Sequence, residues 1–226
     1  LQRLYAAYGI LLFTTLSLIT LTVNLFVPSL KGRRWVAGAF SRWFFGIAGI
    51  PLRIEGLDRL PDAPCVVVAN HASYIDGIVA AAALPPDFAF VIKREMIRVP
   101  LASLLLRRLG SAFVERFDRH KGGSDTRRVW KLAAAGQSLV FFPEGTFDAD
   151  RRVRKFLGGA FATAERAGMP IVAVAIHGTR EVLPAGSLMI RRRPIRFQVL
   201  GVMAPDGARQ RSREMIAAAV GEPLAP

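Results

Sequence analysis

The pattern of apolar and polar positions changes character twice along the chain. Residues 5–27 contain no charged side chain, a length that reaches the roughly 20 apolar residues needed to cross a bilayer core. Thr14, Thr15, Thr20, Thr22 and Asn24 punctuate this run. In apolar surroundings such groups need hydrogen bonds within their own helix or to a partner helix. The run ends at Val27-Pro28-Ser29-Leu30-Lys31-Gly32-Arg33-Arg34. It is too long for a signal peptide, and no small-residue cleavage site follows. Residues 35–50 form a second apolar stretch, rich in Trp35, Phe40, Trp43, Phe44 and Phe45 and interrupted by Arg42. Trp and Phe suit a membrane–water interface. The two segments predict a helical hairpin with its turn near residue 30. The first helix either spans the bilayer or dips with its partner into one leaflet; a buried helix of a soluble core is the competing reading.

After Pro51 short β-branched runs alternate with longer helical patterns. Strands are predicted at 52–55, 65–69, 88–92, 112–115, 138–142, 171–176 and 195–202. Helices are predicted at 76–83, 101–109, 124–135, 158–167 and 209–220. Strands alternating with helices predict an α/β layer structure with a largely parallel, mixed sheet flanked by helices. Continuous apolar runs such as Val66-Val67-Val68 mark strands buried on both faces. The chain therefore divides into a membrane-anchoring helical hairpin, 1–50, and an α/β domain, 51–226.

Charge bears on partners more than on fold. The formal net charge is +14, with 31 Lys and Arg against 17 Asp and Glu. That balance fits an anionic membrane, an acidic substrate or nucleic acid, but no recognised nucleic-acid signature accompanies it. A membrane-anchored binder of anionic lipid without catalysis remains an alternative. Cys65 is the only cysteine, which excludes an intramolecular disulfide.

In α/β folds function collects where strands exit into loops, and four exits carry candidate chemistry. Asn70-His71-Ala72-Ser73-Tyr74-Ile75-Asp76 follows the second strand. An Asp close enough to fold back on an imidazole fixes its tautomer and frees the other nitrogen to accept a proton. The competing reading makes Ser73 or Asp76 a helix cap and His71 incidental. Phe141-Phe142-Pro143-Glu144-Gly145-Thr146 leaves another buried strand, with Pro for stiffness and Gly for close approach. Gly110-Ser111-Ala112-Phe113-Val114-Glu115-Arg116 ends in a guanidinium suited to a phosphate, with Arg107, Arg108, Arg119, His120 and Lys121 nearby. His177 and Arg180 follow the apolar run 171–176 and are further candidates to line a site. No GxSxG elbow, P-loop or strand-linked GxGxxG occurs, and no His or Cys grouping has metal spacing.

These four segments, in this order and spacing, resemble the glycerolipid acyltransferase family, and most of all its bacterial 1-acyl-sn-glycerol-3-phosphate (lysophosphatidic acid) acyltransferases. The resemblance covers about residues 50 to 202, and the N-terminal hairpin is similar to the membrane-docking helices of bacterial members. It implies His71 as general base and Asp76 as its orienting partner. It also implies Arg116, Glu144, Gly145, Thr146 and Lys155 around the acceptor and its phosphate, and neither metal nor cofactor. The implied donor is acyl-CoA or an acyl carrier protein. The implied acceptor is a lysolipid held at the inner (cytoplasmic) membrane of a bacterium, with the active site facing the cytoplasm. Backbone N–H groups after Asn70 or near Gly145 are the expected oxyanion donors. Another lysolipid, such as a lyso-ornithine lipid, is the alternative acceptor, and water in its place would make a thioesterase. Phe147 stands where many members carry a basic residue, and Ala173 where proline is common.

Overall fold

A computed structural model describes residues 1–115 and 122–225. Its first two helices, α1 (Gln2–Phe26) and α2 (Leu30–Ile47), form the expected hairpin. Within α1 the polar side chains turn back on their own helix. Thr20 and Thr22 donate to Leu16 O and Leu18 O at 2.7 and 2.9 Å, and Asn24 donates to Thr20 O at 2.8 Å. The second helix begins five residues earlier than its aromatic pattern predicts. Ser29 caps it, its hydroxyl accepting from Gly32 N–H at 3.1 Å, so the turn is confined to residues 27–29. The charges placed inside the helix find carbonyl partners. Arg33 Nε reaches Val27 O at 2.8 Å, and buried Arg34 reaches Leu109 O and the Gln137 amide oxygen, each at 2.9 Å.

The α/β part contains all seven expected strands: β1 (Leu52–Glu55), β2 (Val66–Ala69), β3 (Phe88–Lys93), β4 (Ala112–Val114), β5 (Ser138–Phe141), β6 (Ile171–His177) and β7 (Ile195–Met203). They form one sheet in the order β1-β7-β6-β2-β5-β3-β4. Every neighbouring pair is parallel except β6 and β7. The helices are α3 (Asp76–Ala83), α4 (Pro100–Arg108), α5 (Gly122–Ala134), α6 (Gly159–Ala167), α7 (Thr179–Val182) and α8 (Ala208–Val220). The four-residue α7 lies outside the expected elements, too short to leave a periodic pattern.

Alternation along the strands splits the core between the two sheet faces. Val67, Ala69, Val172, Val174 and Ile176 pack with Val79 of α3 and with Phe44 and Phe45 of α2. Val66, Val68, Ile171 and Ala173 pack with Val129 of α5, Ala164 of α6 and Ile216 of α8. The hairpin thus takes part in the core of the α/β layer, with Phe45 only 1% exposed. The sheet's topology also places the loops. The connection leaving β2 runs through α3 on one face, whereas that leaving β5 runs through α6 on the other. Such divergence opens a crevice at the carboxyl ends of the strands. Because β5, β2 and β6 are adjacent and parallel, their exits at Phe142, Asn70 and His177 converge on that crevice.

Candidate active site

The loop after β2 is held from both sides. The Asn70 side chain acts as an extra rung of the sheet: it donates to Ile176 O at 2.9 Å and accepts from Ile176 N–H at 2.8 Å. Ser73 donates its hydroxyl proton to Leu183 O at 2.7 Å. Between these anchors His71 Nδ1 lies 2.9 Å from Asp76 Oδ2. That oxygen also accepts the N–H groups of Ala72 and Ser73 at 2.7 and 2.8 Å. Asp76 therefore folds the loop around itself and does not cap α3, which disposes of the capping alternative. Asp76 is fully buried, whereas the His71 side chain keeps 18% of its surface exposed. A carboxylate accepting from Nδ1–H leaves Nε2 as the proton acceptor.

The imidazole has aromatic rings on two sides. Phe142 stacks on it at 4.7 Å between centroids with the planes 28° apart, and Phe147 meets it edge-on at 4.5 Å. Tyr74 in turn packs edge-on against Phe147 at 4.7 Å. The residue at the family's basic position is thus in contact with the candidate base, a role that its hydrophobicity alone does not reveal.

Glu144 sits beneath this assembly, 7% exposed. Its two oxygens accept the N–H groups of His71 and Arg154, each at 2.7 Å. It ties the β2 loop to the long loop after β5, with its acceptor positions turned to backbone. Burial raises its pKa to about 7, against the opposing pull of those two N–H groups. Gly145 adopts φ +77°, a left-handed conformation open to glycine, and its N–H closes a turn onto Phe142 O at 3.1 Å. Thr146 follows half-buried on the same loop.

Several of the expected oxyanion donors are engaged: the N–H groups of His71, Ala72, Ser73 and Gly145 already have acceptors inside the protein. The exposed side chain of Lys155 borders a shallow recess shared with Phe156, Gly207, Arg209, Gln210 and Arg213. Arg116, with Arg119, His120 and Lys121, lies outside the described residues. Arg180 is pinned to the long loop, donating to Asp148 O at 2.7 Å. His177 faces the Arg196 guanidinium at 3.3 Å.

Comparison with known proteins follows the same segments. The chain is 35% identical over 136 residues to the chloroplastic 1-acyl-sn-glycerol-3-phosphate acyltransferase BAT2 of Brassica napus, 59% of this chain and 39% of that protein. It is 33% identical over 150 residues to the lyso-ornithine lipid O-acyltransferase of Pseudomonas aeruginosa, 64% of this chain and 55% of that one. The chain spans about two fifths of the length of the chloroplast relatives it matches. The crystal structure of the 1-acyl-sn-glycerophosphate (LPA) acyltransferase PlsC from Thermotoga maritima superposes with a TM-score of 0.82 over 97% of this chain and 95% of that one. At 22% identity this likeness speaks to the fold. The Acyltransferase family model matches residues 51–177, more than half of the chain and the whole stretch from β1 through His177. This protein belongs to the acyltransferase family.

Proposed function

We propose that this protein transfers a fatty-acyl group from a thioester, acyl-CoA or acyl carrier protein, to the hydroxyl of a membrane-resident lysolipid, with 1-acylglycerol-3-phosphate as the leading acceptor. The observation that carries this reading is the 2.9 Å contact between His71 Nδ1 and buried Asp76, with the imidazole still partly exposed. In the reaction, Nε2 of His71 removes the hydroxyl proton as the oxygen bonds to the thioester carbonyl carbon. Asp76 stabilises the imidazolium that results. The tetrahedral intermediate then expels the thiolate, which recovers the proton. General-base assistance of this kind contributes about 10²–10⁴-fold. No cofactor enters these steps beyond the donor itself. Arg116 is assigned to the acceptor phosphate by resemblance, with Gly145 and Thr146 at the acceptor site and Lys155 as a further basic residue of it.

The acceptor is delivered by the membrane. The α1 helix is long and apolar enough to cross a bilayer. Near its start, however, Tyr5 and Tyr8 donate to Ala48 O and Ile47 O at 2.8 and 3.0 Å, and near its end Asn24 O accepts from Arg108 at 2.7 Å. A helix held near its start by the end of α2, which packs into the sheet's core, and near its end by α4 supports the arrangement in one leaflet. In this reading that leaflet is the cytoplasmic one of a bacterial inner membrane.

Lyso-ornithine lipid is the second acceptor reading. It is favoured by Phe147, which puts an aromatic ring against His71 at the position where a cation would face a phosphate. The test is turnover of labelled acyl-CoA and acyl carrier protein by membrane-reconstituted protein with 1-acylglycerol-3-phosphate, with lyso-ornithine lipid and with neither. Acceptor-dependent product is expected, and the preferred acceptor ranks the two readings. Free fatty acid alone would replace the transferase by a thioesterase. An inert but vesicle-bound protein would leave only the lipid-binding alternative.

A further inference from the structure

Helix α4 turns leucines to its exposed side. Ser103 is its buried position, at 7% exposure, while Leu101 and Leu104 are 57% and 44% exposed and the preceding Val99 is 48% exposed. Leu101 and Leu104 are three residues apart and share a face; Ser103 lies across the helix from Leu101. An amphipathic helix packed on a soluble core shows the opposite arrangement. Arg98, just before the helix, and Arg107, in its last turn, are exposed and flank the apolar face, while Arg94 is held by Asp125 at 2.8 Å.

The same helix is fastened to the end of α1. The last turn of α1 contains no basic residue of its own. Arg108 supplies the missing cation from α4, donating through Nε and Nη2 to Asn24 O at 3.0 and 2.7 Å and through Nη2 to Leu25 O at 3.2 Å. A cation at a helix C-terminus is favourable for both the free carbonyls and the dipole. The carbonyls it caps belong to the turn that exposes Leu25 and Phe26, at 49% and 80%. The apolar face of α4 therefore continues from the exposed apolar end of α1.

We propose that α4 is a second membrane-contact element, lying in the interfacial plane with Val99, Leu101 and Leu104 in the acyl region and Arg98 and Arg107 at anionic headgroups. The proposal rests on the membrane reading of the hairpin and adds to it a contact at the opposite end of α1 from α2's aromatic end. Interfacial helices of this composition bind through buried apolar area together with attraction to anionic lipid. Two attachment lines, α1 and α4, fix the rotation of the whole molecule about the axis of α1, which one helix leaves free. Because α4 joins β3 to β4, this contact also brings the β4 edge of the sheet toward the lipid surface.

Cys65, the only cysteine in the chain, is 1% exposed, so a single introduced cysteine can carry a label on the full-length protein. Leu101→Cys, labelled with an environment-sensitive fluorophore, is mixed with vesicles of phosphatidylglycerol and phosphatidylethanolamine containing nitroxide lipids. The expected result is a blue shift with quenching by the lipid nitroxides and shielding from aqueous iodide. Met215→Cys, on α8 across the sheet from the hairpin and 38% exposed, is the control expected to stay in water. Leu101→Asp with Leu104→Asp should lower vesicle partition by about tenfold or more, with the circular dichroism of the wild type. The proposal is overturned if the label on vesicle-bound protein stays accessible to iodide. It is equally overturned if shielding appears without vesicles and grows with protein concentration, since the occupant of the face is then a second copy. Protein that does not bind vesicles at all would refute the hairpin's membrane role and this one together.

Discussion

Two histidines leave neighbouring strands of one sheet and meet opposite surroundings. His71, after β2, has a buried carboxylate 2.9 Å from one ring nitrogen and aromatic rings on two sides. His177, at the end of β6, has the Arg196 guanidinium 3.3 Å away. Its pKa is lowered, first by burial and then by that positive charge. Both occupy the place where an α/β fold puts chemistry, and both are the same residue type. The difference lies in what each neighbour does to the protonated ring. Asp76 stabilises the imidazolium that a general base must pass through; Arg196 opposes it. Position at a strand end is thus a necessary condition for the role and not a sufficient one.

The contrast breaks most sharply at the base itself. His71→Ala is expected to cost the general-base contribution, about 10²–10⁴-fold in kcat, with the circular dichroism and vesicle binding of the wild type. Activity close to wild type in that variant would remove the mechanism. Asp76→Asn follows, with a loss of at least about 10²-fold, because the amide can present N–H to Nδ1 and leave the proton on Nε2. Its KM for the acceptor should change little, since the group touches the base and not the lipid.

A smaller effect is expected from Glu144→Gln, which replaces one of the two acceptors holding His71 and Arg154 by a donor. Losing one such charge-assisted bond costs about 1.5–3 kcal/mol, read as a lower midpoint in denaturant. The pH dependence gives a sharper test. Glu144 titrates near pH 7 in the folded chain, above its unfolded value near 4.5. Between those values the folded state holds the extra proton, so this group's contribution is fully present below about pH 4.5 and is lost as pH rises through about 7. The Gln variant should lack that component of the stability profile. Wild type and variant with parallel profiles across this window would show that the carboxyl does not titrate there.

His177→Gln is predicted to have the smallest effect, within about twofold in kcat at neutral pH, the size usual for a substitution outside the reacting groups. Its mark should be thermodynamic and opposite in sign to that of Glu144. A lowered folded pKa means stability that is present above the unfolded value near 6.5 and lost as pH falls through the folded one. A large fall in kcat would place His177 in the reaction and erase the distinction drawn here.

The hairpin shows how far apolar pattern alone reaches. The charge-free run and the aromatic run both read as membrane segments, and both are helices. Yet Phe44 and Phe45 of α2 are 3% and 1% exposed within the sheet's own core, while Leu11 of α1 is 67% exposed. Hydrophobicity says that a side chain avoids water; it does not say whether protein or lipid replaces the water. Removing residues 1–50 would therefore strip one face of the sheet as well as the anchor. Removal of α1 alone is the cleaner separation of docking from folding.

The sequence by itself determined the α/β class, the seven strands and the local pairing of His71 with Asp76. Those follow from period-two burial, from chain alternation and from a spacing short enough for one loop to close on itself. It also determined that α1 is charge-free over a length sufficient to cross a membrane. Only the tertiary structure decided that Glu144 turns both oxygens to the backbone amides of His71 and Arg154, and that the amides of His71, Ala72, Ser73 and Gly145 are already engaged. Only it set Phe147 against His71 and left Leu101 and Leu104 of α4 facing outward. Each of these depends on contacts between residues far apart in the chain or on the rotation of a helix about its axis. Local spacing carries no record of either.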